Sequence, residues 1–173
     1  MDSQPSQDRS IQNAHAPLTA LGARFLLMRI GHMSFAIPLT RIKEVVIPMP
    51  LTPLPYVPNY VRGLMALRGQ IICVLDLKLK LLQKKTDMTE ETTVIIFDSP
   101  HHVGAIVDSV DKVVAVNASA IQEVGPERRG ESYGVLGILQ FEDSLSQILD
   151  LDPVLQITGV DAYRKVRTAK TNR

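Results

Sequence analysis

The stretch GLMALRGQIICVLDL, residues 63–77, is the part of the sequence that decides the fold. Two apolar runs flank one polar pair, Arg68-Gly69. Glycine adopts a positive φ without steric cost and arginine is tolerated at an exposed tip, so this pair predicts a tight turn between two β-strands. Asp76, near the end of the second run, is suited to cap a short helix over residues 77–82. The stretch therefore predicts a β-hairpin followed by a helical turn.

The composition indicates a folded protein without a dominant charge. The chain has 173 residues, of which 45% are hydrophobic and 21% charged, enough for one ordinary globular unit or two very small ones. A formal net charge of +1 provides no overall attraction for nucleic acid or for an anionic membrane. We therefore expect recognition through specific surfaces.

Cysteine usage and hydrophobic patterning favour a soluble cytoplasmic protein. The single cysteine, Cys73, excludes an internal disulfide, and its apolar neighbours predict a buried strand thiol. The N-terminal residues are polar and lack the apolar segment of a signal peptide. No apolar run reaches the ~18 residues that a membrane span requires. We expect a cytoplasmic chain with no direct insertion into a membrane.

Strand patterns recur along the rest of the sequence. Residues 25–39 predict a hairpin with its turn at Gly31-His32, followed by one helical turn and a strand at residues 45–47. The proline-rich link that follows is too poor in backbone donors for a central strand, and Pro58 and Gly63 bracket a predicted helical turn. Later segments predict five strands, at residues 93–97, 103–107, 113–116, 133–139 and 145–149. Residues 150–153 predict the start of a last helical turn.

The ends of the chain differ in composition from its middle. Residues 1–23 are polar, with two prolines and no apolar periodicity, which is typical of a flexible arm. Residues 158–173 hold five basic residues against Asp161 and predict a solvated basic tail. Residues 24–157 are left as the folded part.

A weak internal repeat predicts the architecture. The segment Phe35–Val46 matches Val103–Val114 in its apolar positions, and Val74–Leu77 matches Ile148–Leu151, at separations of about seventy residues. We expect two small related β lobes, roughly 24–84 and 92–157, with terminal strands that cross between them. Closed barrels with a core shared at their junction fit this pattern best.

Candidate catalytic and metal-binding residues do not converge. His101 and His102 are adjacent, would point in opposite directions on a strand, and are better explained as part of a turn. Asp108 and Asp111 form an ordinary exposed arrangement with a structural role. Basic residues are not clustered with aromatic ones, so a nucleic-acid platform is not expected. By elimination, the functional residues form a protein-binding surface.

Over about residues 24–157 the sequence resembles the CheW-like family of chemotaxis adaptors. The resemblance is carried by FLLMRIGHMSFAIPLTRIKEVV, residues 25–46, by the proline-rich link and by GLMALRGQIICVLDL. Its most specific piece is Ala66-Leu67-Arg68-Gly69 together with the strand that ends in Asp76-Leu77. Residues 94–114, VIIFDSPHHVGAIVDSVDKVV, and the closing GVLGIL and ILDLD add support.

The resemblance implies a mainly β fold of two SH3-like five-stranded β-barrels with a hydrophobic groove between them. It also implies a non-enzymatic scaffold without catalytic residues, metal or cofactor. Such adaptors tie the cytoplasmic tip of transmembrane, methyl-accepting chemoreceptors to a CheA-type histidine kinase. The receptor helix lies in the groove, and a CheW-like domain of the kinase pairs with the adaptor barrel to barrel.

The resemblance assigns partner binding to six residues. Arg68 and Gly69 match the family motif, and Glu44 matches a glutamate associated with receptor and kinase coupling; an ion pair with Arg68 is an alternative role for Glu44. The matches to groove positions are Leu39, Ile42 and Val94, for which plain core positions are an equal alternative. Two departures stand out, because Ala66 replaces the usual asparagine of the motif and Cys73 stands where many members have proline.

Two other functions stay open from the sequence. An adaptor of a non-flagellar chemosensory pathway, controlling pili, surface sensing or development, would carry the same motifs. A small-ligand-binding enzyme that uses a cleft between the lobes belongs to a different class, and the scattered polar residues favour it least.

Overall fold

The computed structural model describes residues 23–125 and 134–158. The predicted N-terminal arm except residue 23, the basic tail beyond Thr158, the glycine-containing part of the predicted loop at 126–132 and Tyr133 lie outside these described residues. The described chain is mainly β, which confirms the predicted fold class. No helix within these ranges has the length and apolarity needed to cross a membrane.

The described residues form eleven strands, two short helices and two 3-10 turns. The strands are β1 (Arg24–Ile30), β2 (Met33–Pro38), β3 (Ile42–Val46), β4 (Val61–Leu67), β5 (Gln70–Asp76), β6 (Thr93–Phe97), β7 (Val103–Val107), β8 (Ser109–Ala115), β9 (Ile121–Glu123), β10 (Val135–Phe141) and β11 (Ser144–Leu149). The helices are α1 (Leu77–Leu82) and α2 (Leu151–Leu155), and the 3-10 turns are Leu39–Arg41 and Ala118–Ala120.

The strands form two sheets of unequal size. A six-stranded sheet has the order β8-β1-β2-β11-β10-β9, and a five-stranded sheet has the order β3-β6-β7-β5-β4. The six-stranded sheet thus holds the five strands predicted for each lobe and one more, the short strand β9 at its edge. Neighbouring strands are antiparallel except in two pairs, β11 with β2 and β5 with β7.

The two sheets share one topology once β9 is set aside. Strands β8, β1, β2, β11 and β10 then correspond to β3, β6, β7, β5 and β4. Each half of the chain contributes a hairpin, β1–β2 or β6–β7, to the sheet that the other half completes. The predicted boundaries 24–84 and 92–157 thus enclose two sequence repeats, and neither sheet is confined to one of them. A tight turn cannot join parallel strands, so each parallel pair combines strands that are distant in the chain.

A shared core lies between the two sheets, as the sequence predicted. It contains buried residues of both sheets and of both helices, among them Met28, Ile37, Leu77, Phe97, Val107, Leu149 and Leu151. A second cluster packs within the six-stranded sheet, around Phe25, Val114 and Leu139. A third packs within the five-stranded sheet, around Met65, Ile72, Val94 and Ile106. Each sheet therefore encloses its own apolar centre and also packs against its neighbour.

The two aspartates of the sequence repeat begin the two helices. The Asp76 carboxylate accepts a hydrogen bond of 3.0 Å from the backbone N–H of Leu79, and the Asp150 carboxylate accepts one of 3.3 Å from that of Asp152. Each bond satisfies a donor that the first helical turn leaves free. The predicted starts of α1 and α2 are confirmed.

The helical turn predicted between Pro58 and Gly63 is wrong, because the chain enters β4 at Val61. Gly63 has φ +134° and lies where the pairing of β4 with β5 shifts by one residue. A Cβ at Gly63 would lie 2.3 Å from the carbonyl oxygen of Thr52. The proline-rich link therefore requires this glycine for its close approach to the strand, and the glycine does not end a helix.

Candidate partner-binding site

Arg68 and Gly69 form the two-residue turn of the β4–β5 hairpin. Both have positive φ, +48° and +79°, which is the conformation of a type I′ turn and matches the twist of the flanking strands. A Cβ at Gly69 would meet no atom within 4 Å, so the glycine is needed for its backbone conformation. Arginine in the left-handed region costs roughly 1–2 kcal/mol. The predicted turn is confirmed.

Arg68 forms an ion pair with Glu44. The distance from Arg68 Nη2 to Glu44 Oε1 is 2.7 Å, and the side chains are 78% and 25% exposed. Glu44 belongs to β3, which is one end of the five-stranded sheet, whereas the β4–β5 hairpin is the other end. Lys43 Nζ donates a hydrogen bond of 3.0 Å to Gln70 at the same junction. The sheet therefore curls until its ends meet here, which is compatible with a barrel.

The three predicted groove residues differ in accessibility. Leu39 and Ile42 are half-buried and pack against the shared core, so part of each side chain faces solvent. Val94 is only 1% exposed and belongs to the core of the five-stranded sheet. Of the two alternatives for Val94, the core position is the one observed, and a partner cannot touch this side chain in the described conformation. Two contacts join predicted residues in the described part of the chain: the ion pair links Glu44 to Arg68, and the backbone N–H of Ile42 donates to the carbonyl oxygen of Leu39.

Exposed apolar side chains lie on or next to the strands β3 and β5, and they are not among the predicted partner-binding residues. Val45 is 41% exposed and Ile47 is 78% exposed, on β3 and directly after it, while Ile71 on β5 is 59% exposed. Apolar residues at two-residue spacing on an edge strand were the available signal. Apolar groups beside a charged pair are typical of the contact surface for another protein.

A second ion pair occupies the equivalent place in the six-stranded sheet. Lys112 Nζ on β8 lies 3.2 Å from Glu142 Oε2 in the turn between β10 and β11. In the sequence repeat, Lys112 aligns with Glu44 and Glu142 aligns with Arg68. The strand and turn thus carry opposite charges in the two repeats. The tip of the five-stranded sheet presents a cation, and that of the six-stranded sheet presents an anion.

The connections that cross between the sheets also carry opposite charges in the two repeats. Arg41 lies between β2 and β3 and pairs with Asp152, the second residue of α2, at 2.6 Å. Asp108 lies between β7 and β8 and pairs with Lys78, the second residue of α1, at 3.0 Å. Asp108 therefore has the structural role that the sequence predicted for it. Each ion pair joins a crossing connection of one repeat to a helix of the other.

A cleft of about 780 Å³ lies between the β6–β7 turn and α2. It is lined mainly by apolar groups, with Arg41, Asp98, His101 and Asp152 among its polar groups. Cys73 also lines it and is half-buried, not fully buried as predicted; burial raises the pKa of its thiol. Among the described residues, no group of three or more His, Cys, Asp or Glu side chains could hold a metal ion.

The chain that follows α2 is fixed to the first repeat. Lys80 Nζ donates hydrogen bonds to the carbonyl oxygens of Val154, at 2.7 Å, and Gln156, at 2.5 Å. The Lys80 ammonium also lies 4.7 Å from the centre of the Tyr60 ring. Burial lowers the pKa of Lys80. The backbone N–H of Thr158 donates to the Tyr60 hydroxyl at 3.0 Å. Residues 154–158 thus leave the fold along α1 and the start of β4.

Known proteins are similar to this chain in sequence and in fold. The family pattern of the CheW-like domain matches residues 24–158. The chain is 28% identical over 145 residues to the chemotaxis protein CheW of Rhizobium meliloti, covering 82% of this chain and 93% of that protein. It is 30% identical over 137 residues to CheW of Bacillus subtilis, covering 78% and 87%. The crystal structure of the scaffolding protein TtCheW from Thermoanaerobacter tengcongensis matches with a TM-score of 0.72 and 24% identity, over 80% of this chain and 96% of that one.

Proposed function

Because this chain belongs to the family of proteins with a CheW-like domain, we propose that it is an adaptor of chemosensory signalling. In this proposal it couples the cytoplasmic tip of methyl-accepting chemoreceptors to a CheA-type histidine kinase, in the cytoplasm at the receptor array. The similarity to the chemotaxis proteins CheW of Rhizobium meliloti and Bacillus subtilis supports this role.

The exposed Arg68 is the observation that carries the proposal for this chain. A left-handed arginine at the tip of a hairpin is not required for turn formation, since the equivalent turn of the other sheet holds Glu142 in the same backbone conformation. The guanidinium is 78% exposed while it pairs with Glu44. Surface ion pairs contribute only about 0.2–1 kcal/mol, so stability alone is a weak reason to hold arginine there. A partner that accepts hydrogen bonds from the guanidinium is a stronger one.

Apolar groups on and near β3 and on β5 supply the affinity in this proposal. Leu39 and Ile42 are half-buried at the edge of the shared core, and Val45, Ile47 and Ile71 are exposed. Burial of apolar surface contributes roughly 25 cal/mol per Å² before the costs of association are subtracted. Val94 pairs with Val46 of β3 and belongs to the core of the five-stranded sheet. The chain acts by geometry and coupling, without catalysis or a cofactor.

Reconstitution of the three-component assembly tests the proposal. Receptor-containing membrane vesicles, kinase and the full chain are mixed, and the kinase that sediments with the vesicles is measured. We expect Arg68→Glu to reduce co-sedimentation while the thermal midpoint of the chain falls by no more than about 4 °C. Lys85→Glu makes the same charge change at an exposed position of the linker after α1 and serves as the matched control.

Two results would contradict the proposal at different levels. If the unmodified chain failed to increase co-sedimentation of kinase with vesicles, the adaptor function would be wrong. If Arg68→Glu and Lys85→Glu both assembled like the unmodified chain, the adaptor function would stand and the role given to Arg68 would be wrong.

A further inference from the structure

Helix α2 ends where two residues of the first repeat replace its next hydrogen bond. A helix that continued past Leu155 would join the Val154 carbonyl to the backbone N–H of Thr158, four residues later. The Val154 carbonyl instead accepts from Lys80 Nζ at 2.7 Å, and the Thr158 N–H instead donates to the Tyr60 hydroxyl at 3.0 Å. Both groups of the missing helical bond are therefore satisfied by side chains from outside the helix.

Residues 156–158 follow the helix as an extended strap. Gln156 has φ −67° and ψ 127°, outside the helical region, and its carbonyl also accepts a hydrogen bond from Lys80. Gln156, Ile157 and Cys73 line the cleft beside α2. Ile157 and Cys73 pack against one apolar cluster, the buried residues Val61, Leu75 and Val103. The strap therefore forms part of the cleft wall and shares its apolar support with Cys73.

The equivalent helix of the first repeat shows that the fold accepts a longer helix. From their caps, Asp76 and Asp150, α1 extends over six residues and α2 over five. The last residue of α1, Leu82, corresponds in the repeat to Gln156, the residue at which α2 has already ended. Residues 154–158 contain neither proline nor glycine, so their sequence permits another helical turn. The early end of α2 is better explained by its contacts with the first repeat than by its own sequence.

We propose that α2 is a two-state element whose length is set by Lys80. In the closed state, which the structure describes, Lys80 and Tyr60 hold the strap extended along the cleft. In the open state, α2 continues through the strap, and the Val154 carbonyl accepts its helical bond from Thr158. The strap then leaves the cleft wall, and Cys73 becomes accessible. Because Lys80 belongs to α1, a displacement of that helix changes the length of a helix in the other repeat.

Lys80→Met in the full chain tests this exchange of hydrogen bonds. Methionine keeps an unbranched apolar side chain but cannot donate to a carbonyl. We expect the α-carbon chemical shifts of Gln156 and Ile157 to move toward helical values. We also expect iodoacetamide to alkylate Cys73 ~10-fold faster, because the loss of a hydrogen bond from a charged donor shifts an equilibrium by about that factor or more. Lys84→Met, at an exposed position of the linker after α1, is the matched control.

Tyr60→Phe provides an independent variant, since it removes only the hydroxyl that binds Thr158. We expect changes of the same sign in both measurements, and smaller ones, because Lys80 still holds the Val154 carbonyl. General loosening of the fold is monitored at Asp76, whose backbone N–H donates to the Tyr60 carbonyl at 2.7 Å. Its hydrogen exchange is expected to be as slow in both variants as in the unmodified chain.

Three results would overturn the proposal. They are α-carbon shifts at positions 156 and 157 that stay unchanged or move to disordered values in Lys80→Met, an unchanged alkylation rate of Cys73, and faster hydrogen exchange at Asp76. Neither a receptor nor a kinase takes part in these measurements, so their failure is distinct from failure of the adaptor function.

Discussion

Lys112 and Glu142 make the same contact in the six-stranded sheet that Glu44 and Arg68 make in the five-stranded sheet, with the two charges exchanged. The pairs measure 3.2 Å and 2.7 Å between nitrogen and oxygen, and each joins an edge strand to the turn of the hairpin opposite. The two tips thus present opposite charges. A partner that recognises one tip by charge is repelled by the other, which favours one orientation of binding.

Exchange of the charges of Glu44 and Arg68 separates their structural contact from partner recognition. We expect Arg68→Glu alone to lower the free energy of unfolding by no more than ~1 kcal/mol, because the Arg68 side chain is 78% exposed and water screens its interaction with Glu44. The double variant Glu44→Arg/Arg68→Glu recovers that stability but not kinase co-sedimentation, since the partner still meets the wrong charge. Urea unfolding and the vesicle assay measure the two effects. Recovery of co-sedimentation in the double variant would show that Arg68 acts only through Glu44.

Removal of an exposed apolar side chain next to the hairpin turn tests whether the exposed apolar residues of β3 and β5 belong to the partner-binding surface. Ile71 is 59% exposed, so Ile71→Ser removes little buried area and we expect an unchanged urea midpoint. Co-sedimentation of the kinase falls about 10-fold if the side chain is buried by a partner. Met88→Ser, at a 50% exposed position of the linker, is the control. Equal behaviour of the two variants would place Ile71 outside the partner surface.

The two helix caps predict a large difference in stability. Asp76 is fully buried and pairs with Arg62 at 2.9 Å, and it also accepts hydrogen bonds from the hydroxyl and backbone N–H of Thr86. Asp76→Ala leaves Arg62 and Thr86 without their acceptor, and we expect a loss of about 3–5 kcal/mol. Asp150→Ala removes a cap near the surface and costs about 1 kcal/mol. Urea unfolding measures both, and similar losses would contradict the buried network.

The Cys73 thiol makes stability depend on alkaline pH. Burial raises its pKa in the folded state above the ordinary value of about 9, whereas the unfolded chain retains the ordinary value. The unfolded state therefore loses this proton first as pH rises, and the stabilising contribution is complete below pH ~9 and is lost as pH rises through the raised pKa. We expect the unfolding free energy of the unmodified chain to decline relative to Cys73→Ala above pH 9. A constant difference between pH 8 and pH 10.5 would contradict this.

Local features of the fold could be predicted from the sequence because a few neighbouring residues determine them. The Arg68-Gly69 turn depends on two φ angles, and the helix start at Asp76 depends on one side chain and the next turn of backbone. The helical turn predicted from Pro58 and Gly63 was wrong because it considered only neighbouring residues. Glycine is needed at position 63 because Thr52, a residue of another segment, lies too close for a Cβ atom.

Features that depend on distant pairing could not be predicted in this way. The period-two pattern of β1 and β2 indicates two strands but does not determine which sheet they enter. The parallel partner of β2 is β11, a strand of the other repeat in which Gln147 pairs with Phe35. Val94 looks the same in sequence whether it faces a groove or a core. The ion pair of Lys112 and Glu142 was not predicted because the two repeats were compared at their apolar positions and not at their charged positions.

The exchanged hairpins have a consequence for how the molecule comes apart. Each hairpin occupies the middle of a sheet whose remaining strands belong to the other repeat, so neither repeat retains an intact sheet when the other is lost. A cut in the linker after α1 yields two fragments that stay associated or unfold together. The chain therefore behaves as one cooperative unit, and a displacement of either tip is felt by strands from both ends of the polypeptide.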